Sequence, residues 1–145
     1  MLDALQLTLT LSLNPTALLG FVLYVATACV LIALFQFAYT KVTPHNEWAL
    51  IRANNTAAAI ALGGAIIGFA LPASNVIAYS VNLLDFVVWA VLGAFIQLGA
   101  FFATSFVLRP LRIRIENGEI AAGIYVAAVA IAVGLINAAC MTPSV

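Results

Sequence analysis

Long apolar runs dominate this chain, and its polar residues gather in the gaps between them. The runs cover residues 15–39, 56–78, 83–108 and 120–141. Each matches the roughly 20 residues that a helix needs to cross the hydrocarbon core of a bilayer, so the pattern predicts four transmembrane helices. The gaps 40–55 and 109–119 hold every lysine and arginine, namely Lys41, Arg52, Arg109, Arg112 and Arg114. Positive residues beside membrane helices are retained on the cytoplasmic side. Both gaps are therefore expected to face the cytoplasm and both chain ends the opposite side. The expected fold is an all-α membrane protein with a single integral membrane domain over 1–145.

Residues 1–14 follow a different rule. Leu5, Leu7, Leu9, Leu11 and Leu13 alternate with Gln6, Thr8, Thr10 and Ser12, a period of two that suits a strand-like or interfacial segment better than a span. One open strand cannot cross lipid, and the segment lacks the positive start and small-residue cleavage site of a signal peptide. It is expected to remain in the mature protein as an interfacial amphipathic helix or an extended arm.

Local signals refine the four spans. Asn14 and Pro15 suit the cap and first position of the first helix, whose far end, with Phe35, Phe37 and Tyr39, fits an inner aromatic belt. Thr43-Pro44 restarts a helix with Glu47 near its positive end, and residues 44–53 are expected to form a ramp on the membrane surface. In the second helix Ala57, Ala61 and Ala65 recur every four, Gly64 and Gly68 form a GxxxG, and Gly134 continues the small residues in the fourth. Such residues let backbones approach closely in lipid. Pro72 is expected to kink or end the second helix, with Ser74, Asn75, Tyr79, Ser80 and Asn82 in an uncharged outer loop. Asn54 before Ala58-Ala59 and Asn117 before Ala121-Ala122 recur at a spacing of 63. Since each half crosses twice, the halves would be hairpins in a parallel internal repeat.

Composition narrows the classes of function. The chain is 66% hydrophobic and 7% charged with no net charge, far from the quarter of charged residues in soluble domains. Four spans leave no room for a separate soluble domain. Nucleic acid is excluded by the absence of a basic run, and the lipid bilayer is the main partner. Cys29 and Cys140 lie too far apart in depth for a disulfide and are expected to be free thiols.

Few residues carry candidate chemistry. Asp85 starts the third helix three residues after Asn82, where a carboxylate caps backbone N–H groups; with Gln97 near mid-depth it is also a candidate ion or polar path. Gln97 can alternatively serve as interhelical glue. His45, Glu47, Arg52, Asn54, Asn55, Arg112 and Arg114 form a candidate cytoplasmic interaction surface. For His45 and Glu47 a proton or metal site competes with capping and anchoring. One histidine in the chain and an isolated Cys140-Met141 pair argue for neither a metal site nor a cofactor. Catalysis needs a positioned nucleophile and base or a metal, and none is legible, so a non-enzymatic role is expected.

The string TKVTPHNEWALIRANNTAAA from Thr40 to Ala59 and GLINAACM from Gly134 to Met141 closely resemble the YjfL-type family of small bacterial inner-membrane proteins. PHNEW at Pro44–Trp48 and NAACM at Asn137–Met141 are the specific stretches, and the likeness spans the chain beyond residue 16. The resemblance implies paired transmembrane helices in a domain of unknown function, a multi-pass place in the bacterial inner membrane and no assigned activity; in that membrane the charge distribution puts both termini on the periplasmic side. It also suggests a cytosolic or envelope-stress protein partner. The expected function is an oligomeric transport or channel component, since one four-helix chain has little room for a pore; a membrane-anchored interaction or scaffold module is the alternative.

Overall fold

The computed structural model describes residues 14–141, together with Gln6, Thr8 and Thr10. From Pro15 onward the described residues form α1 (Pro15–Val42), α2 (Glu47–Arg52), α3 (Thr56–Tyr79), α4 (Leu83–Val107), α5 (Leu111–Glu116) and α6 (Ile120–Cys140). Four of them, α1, α3, α4 and α6, are long and apolar enough to cross a membrane. The short α2 and α5 lie in the two gaps that carry the positive charges, hereafter the basic end. Gln6, Thr8 and Thr10 are helical and exposed, which departs from a strand. The rest of the expected N-terminal arm lies outside the described residues.

Asparagine side chains open four of the helices. Asn14 accepts from Ala17 N–H at 2.7 Å, Asn46 from Ala49 N–H at 3.0 Å, Asn55 from Ala58 N–H at 2.9 Å and Asn82 from Asp85 N–H at 2.9 Å. Each fills one donor that a helix start leaves without an intrahelical partner. The cap of α2 is therefore Asn46, three residues beyond the Thr43-Pro44 restart read from sequence. Both short helices end in one hydrogen-bond pattern. Asn54 at φ 61° and Gly118 at φ 75° reverse the chain, while Asn55 N–H reaches Leu50 O and Glu119 N–H reaches Arg114 O at 2.9 Å each. These are Schellman closures. From Asn55 to Glu119 is 64 positions, one more than the spacing suggested by the asparagines.

The centre of the molecule is the pair α3 and α6, which run parallel. Ala57 faces Gly123, Gly64 faces Ala127, and Gly68 faces Ala130 and Gly134. A methyl added to Gly123 would stand 2.9 Å from Ala57 Cα, and one added to Gly134 would overlap the Gly68 carbonyl. That contact has a cause in α3, which continues through Pro72 to Tyr79 rather than ending there. A proline lacks the N–H owed to the carbonyl four residues back, here Gly68, and the side-chain-free Gly134 lets α6 close over it. Ser74, Asn75 and Tyr79 are consequently helical, not part of an outer loop. Asn75 uses its amide to donate to Ala138 O at 2.7 Å.

α4 packs antiparallel to this pair, and α1 lies outermost. Only 6% of the apolar stretch of α1 is buried, against 56% for α3, so the rest of the chain leaves most of α1 uncovered. Its inward stripe is Tyr24, Ala28, Leu31, Phe35 and Tyr39, spaced at three and four as one helix face requires. Phe35 stacks on Phe69 of α3 at 4.5 Å and Tyr39 meets Phe101 of α4 edge-on at 5.1 Å. The stripe ends in a tyrosine buried to 2% exposure.

Candidate functional site

The link between α1 and α2 turns two ionisable side chains inward. Thr43 closes α1 by donating its N–H to Tyr39 O at 2.9 Å, and its backbone is extended. In extended chain, successive side chains point to opposite sides. Thr43, His45 and Glu47 are accordingly buried while Pro44, Asn46 and Trp48 are exposed. His45 Nε2 lies 2.8 Å from Glu47 Oε1 with side chains 2% and 0% exposed. The two side chains are in close contact, but neither ring nitrogen nor either carboxylate oxygen has a directed hydrogen bond within the protein. A recess of about 440 Å³, lined by Lys41, Thr43, His45, Asn46, Glu47 and Trp48 among others, opens beside the pair.

Deeper in the bundle a second polar group continues from the first. Gln97 of α4 is 2% exposed, and its Nε2 donates to Ala130 O of α6 at 2.8 Å. Its amide also fills the space where a Gly68 side chain would stand, so Gln97 ties α3, α4 and α6 together. The other end of the amide, Oε1, has no partner. Gln97, Thr104 and Tyr39 line an internal void of about 10 Å³. The Thr104 hydroxyl donates to Ala100 O at 2.8 Å, whereas the buried Tyr39 hydroxyl has no partner. Tyr39 thus lines the void with its side chain while its backbone carbonyl holds Thr43 at the start of the link.

The residues singled out from sequence divide among distinct places. His45 and Glu47 do not belong to an exposed interaction surface, because the extended link buries them. Arg52 and Asn54 are exposed and Asn55 half-buried. Asn55 ties the two gaps together, its Nδ2 donating to Ile115 O at 2.8 Å. Arg112 pairs with Glu116 at 2.8 Å and Arg114 with Glu119 at 2.7 Å. Lys41 and Arg109 lie over the rings of Phe37 and Phe106. Asp85 accepts from Val81 N–H at 3.2 Å and serves the start of α4. Twelve helical residues, about 18 Å of rise, separate it from Gln97, so the two do not form a joint path. Gly64, Gly68 and Gly134 lie in the α3–α6 contact. Tyr39 was legible only as a belt aromatic; the clue to its burial is its place at the end of the α1 stripe.

Comparison with known proteins agrees on the class. A family model described as Domain of Unknown Function (DUF350) matches residues 12–141. The chain is similar to the UPF0719 inner membrane protein YjfL of Escherichia coli (strain K12), with 38% identity over 126 residues, 87% of this chain and 96% of that protein. It is also similar to the UPF0719 transmembrane protein YshE of Bacillus subtilis (strain 168), with 31% identity over 102 residues, 69% of this chain and 76% of that protein. No solved structure matches the chain.

Proposed function

The chain belongs to the DUF350 family of multi-pass inner-membrane proteins, and from that premise we propose that it is a non-enzymatic subunit of an oligomeric transport or channel assembly with its basic end in the cytoplasm. The observation that carries this reading is the set of buried polar atoms that the fold does not use. Tyr39 Oη and Gln97 Oε1 lie buried without hydrogen-bond partners, and so does Glu47 Oε2, the other Glu47 oxygen meeting His45 Nε2. Each such group costs about 1–3 kcal/mol when left unsatisfied, a cost that a purely structural bundle has no reason to carry. Polar and ionisable groups facing the interior of a membrane bundle mark pathways. A void of about 10 Å³ admits no hydrated ion, so the path must be completed between subunits or by opening of the bundle.

Purified protein in liposomes tests the reading. Flux of protons or alkali cations should be present, should fall in Gln97→Ala, and should accompany an oligomer in detergent. A monomer, or a flux indifferent to Gln97→Ala, refutes it.

One observation favours a second reading. Arg52 and Asn54 are exposed at the end where Asn55 draws the two gaps together, a surface suited to an acidic cytosolic or envelope-stress partner. A pull-down that loses a partner in Arg52→Ala would support this interaction module; retention of every partner in Arg52→Ala with Arg112→Ala and Arg114→Ala would sink it.

A further inference from the structure

Each membrane-crossing helix carries one amide side chain: Gln36 in α1, Asn75 in α3, Gln97 in α4 and Asn137 in α6. Hydrocarbon offers an amide no hydrogen bond, so each needs a partner in protein. Three find one inside the bundle. Asn75 donates to Ala138 O at 2.7 Å, Gln97 to Ala130 O at 2.8 Å and Asn137 to Gly93 O at 3.5 Å. Gln36 has no hydrogen bond among the described residues. It stands five residues before Lys41, about 7.5 Å along the helix, and so lies within the span rather than at its basic end.

The side of α1 that the bundle leaves uncovered is sorted by size. One row along it, Leu19, Leu23, Val30, Leu34 and Phe37, is bulky and exposed. The other row is Val22, Ala26, Cys29, Ala33, Gln36 and Thr40, spaced alternately at four and three and exposed or half-buried throughout. A helix side that meets only lipid tails gains nothing from such sorting. Small residues let a second backbone come close in a membrane, and alternation of three and four is the seam of paired helices. The row is distinct from the inward stripe of Tyr24, Ala28, Leu31, Phe35 and Tyr39. Thr40 donates its hydroxyl to Phe37 O at 3.0 Å, which leaves Gln36 as the group on the row that still needs a partner.

The partner must bring an amide or another polar group to the same depth, and the amides of α3, α4 and α6 are already in use. A second α1 meets the requirement. Copies of one chain insert with one orientation, so a twofold axis between two of them stands normal to the bilayer. That axis sets the two α1 helices parallel and brings equal residues together at equal depth. An amide holds both a donor and an acceptor, so Gln36 is complementary to the partner's Gln36.

We propose, resting on the oligomer that the transport reading requires, that the chain forms a twofold dimer through α1, in which Gln36 hydrogen-bonds the partner's Gln36 across a seam of Ala26, Cys29, Ala33 and Thr40. The arrangement satisfies the one span amide that the bundle leaves open and keeps the bulky row in lipid. It also fixes register, as a single polar seam residue does, because sliding one helix along the other would strand both amides.

Cys29, a free and exposed thiol two turns from Gln36 on the same row, reports on the seam. In inner-membrane vesicles holding the Cys140→Ser chain, oxidation with copper phenanthroline should join most of the protein into a dimer on non-reducing gels. In a chain with Cys29→Ser and Cys140→Ser, Val30→Cys on the bulky row should cross-link at least fivefold less. Gln36→Leu should lower cross-linking at Cys29 at least fivefold and shift the protein toward monomer on sedimentation in detergent, while Gln36→Asn, which keeps an amide, should stay within twofold. Circular dichroism of Gln36→Leu should match wild type, because no hydrogen bond inside the chain is lost. Equal cross-linking at Cys29 and at Val30→Cys, or cross-linking at Cys29 indifferent to Gln36→Leu, overturns this interface; an oligomer that persists on sedimentation then leaves the transport reading standing. A wild-type monomer overturns both. A dimer that dissociates in Gln36→Leu but carries no ion flux supports the interface and overturns the transport reading alone.

Discussion

Two adjacent glycines of α3 should respond to alanine in opposite directions. A methyl added to Gly64 overlaps the Cα and Cβ of Ala127 and stands 3.2 Å from its carbonyl carbon, whereas one added to Gly63 meets nothing within 4 Å. The obstacles at Gly64 are backbone and a Cβ, which no rotamer change can remove, so α3 and α6 must separate. Overpacking of this kind costs about 1–3 kcal/mol. At Gly63 the same substitution only removes a helix-interior glycine and gains about 0.5–1 kcal/mol. That gain is common to both substitutions, so the two variants should differ by the overpacking cost, about 1–3 kcal/mol, which at 1.4 kcal/mol per decade is roughly five- to a hundred-fold in the unfolding constant. Unfolding by SDS in mixed micelles, followed by far-ultraviolet circular dichroism, measures this. Equal stability of the two variants, or a more stable Gly64→Ala, would refute the backbone contact between α3 and α6.

Three further outcomes follow from other parts of the molecule. Asn55→Ala removes both the cap of α3 and the tie to Ile115; at about 1 kcal/mol for each, it should lower stability by about 2 kcal/mol and speed trypsin cleavage at Arg112 or Arg114, and an unchanged cleavage rate would show that the tie is not made. His45→Leu strands a buried carboxylate and should cost about 3–5 kcal/mol, while His45→Leu with Glu47→Leu should recover most of it; a double variant as unstable as the single would show that the pair is not the cause. In a background lacking Cys29 and Cys140, Lys41→Cys should be labelled by impermeant maleimide only from the cytoplasmic side and Asn75→Cys only from the periplasmic side, and the reverse pattern would invert the proposed orientation.

What the chain disclosed in advance depended on whether the responsible physics is local. Four apolar runs suffice for four membrane-crossing helices, because span length and the exclusion of charge are properties of each run alone. Asn14 and Asn82 are readable as caps for the same reason: a cap acts within three residues. Small residues at Gly64 and Gly68 announce a close helix contact but carry no address, and α6 becomes their partner only through Gly123, Ala127 and Gly134 at matching heights. Pro72 read as a kink or an end, since a proline costs helix stability in isolation; within the bundle its effect is absorbed where Gly134 packs on Gly68. The PHNEW segment shows most plainly what sequence reading lacked. Taken as a helix from Pro44, it presents His45 and Glu47 on a surface ramp. Taken as an extended link capped by Asn46, it turns both inward, and which holds depends on where α1 stops.

The two short helices supply an internal comparison that bears on why Glu47 is charged. Both end in the same closure, and each begins with a buried residue: Glu47 at 1% exposure in α2 and Leu111 at 5% in α5. The backbone frame at this position therefore accepts an aliphatic side chain. Burying a carboxyl group and an imidazole where a hydrocarbon would fit costs desolvation that their mutual contact only partly returns. Capping does not explain the charge either, because the Asn46 side chain already caps α2 and both Glu47 oxygens lack hydrogen bonds. Topology does not require it, since membrane orientation is set by lysine and arginine, with acids contributing little. With packing, capping and orientation set aside, what distinguishes Glu47 from Leu111 is its contact with His45 beside the open recess at the basic end.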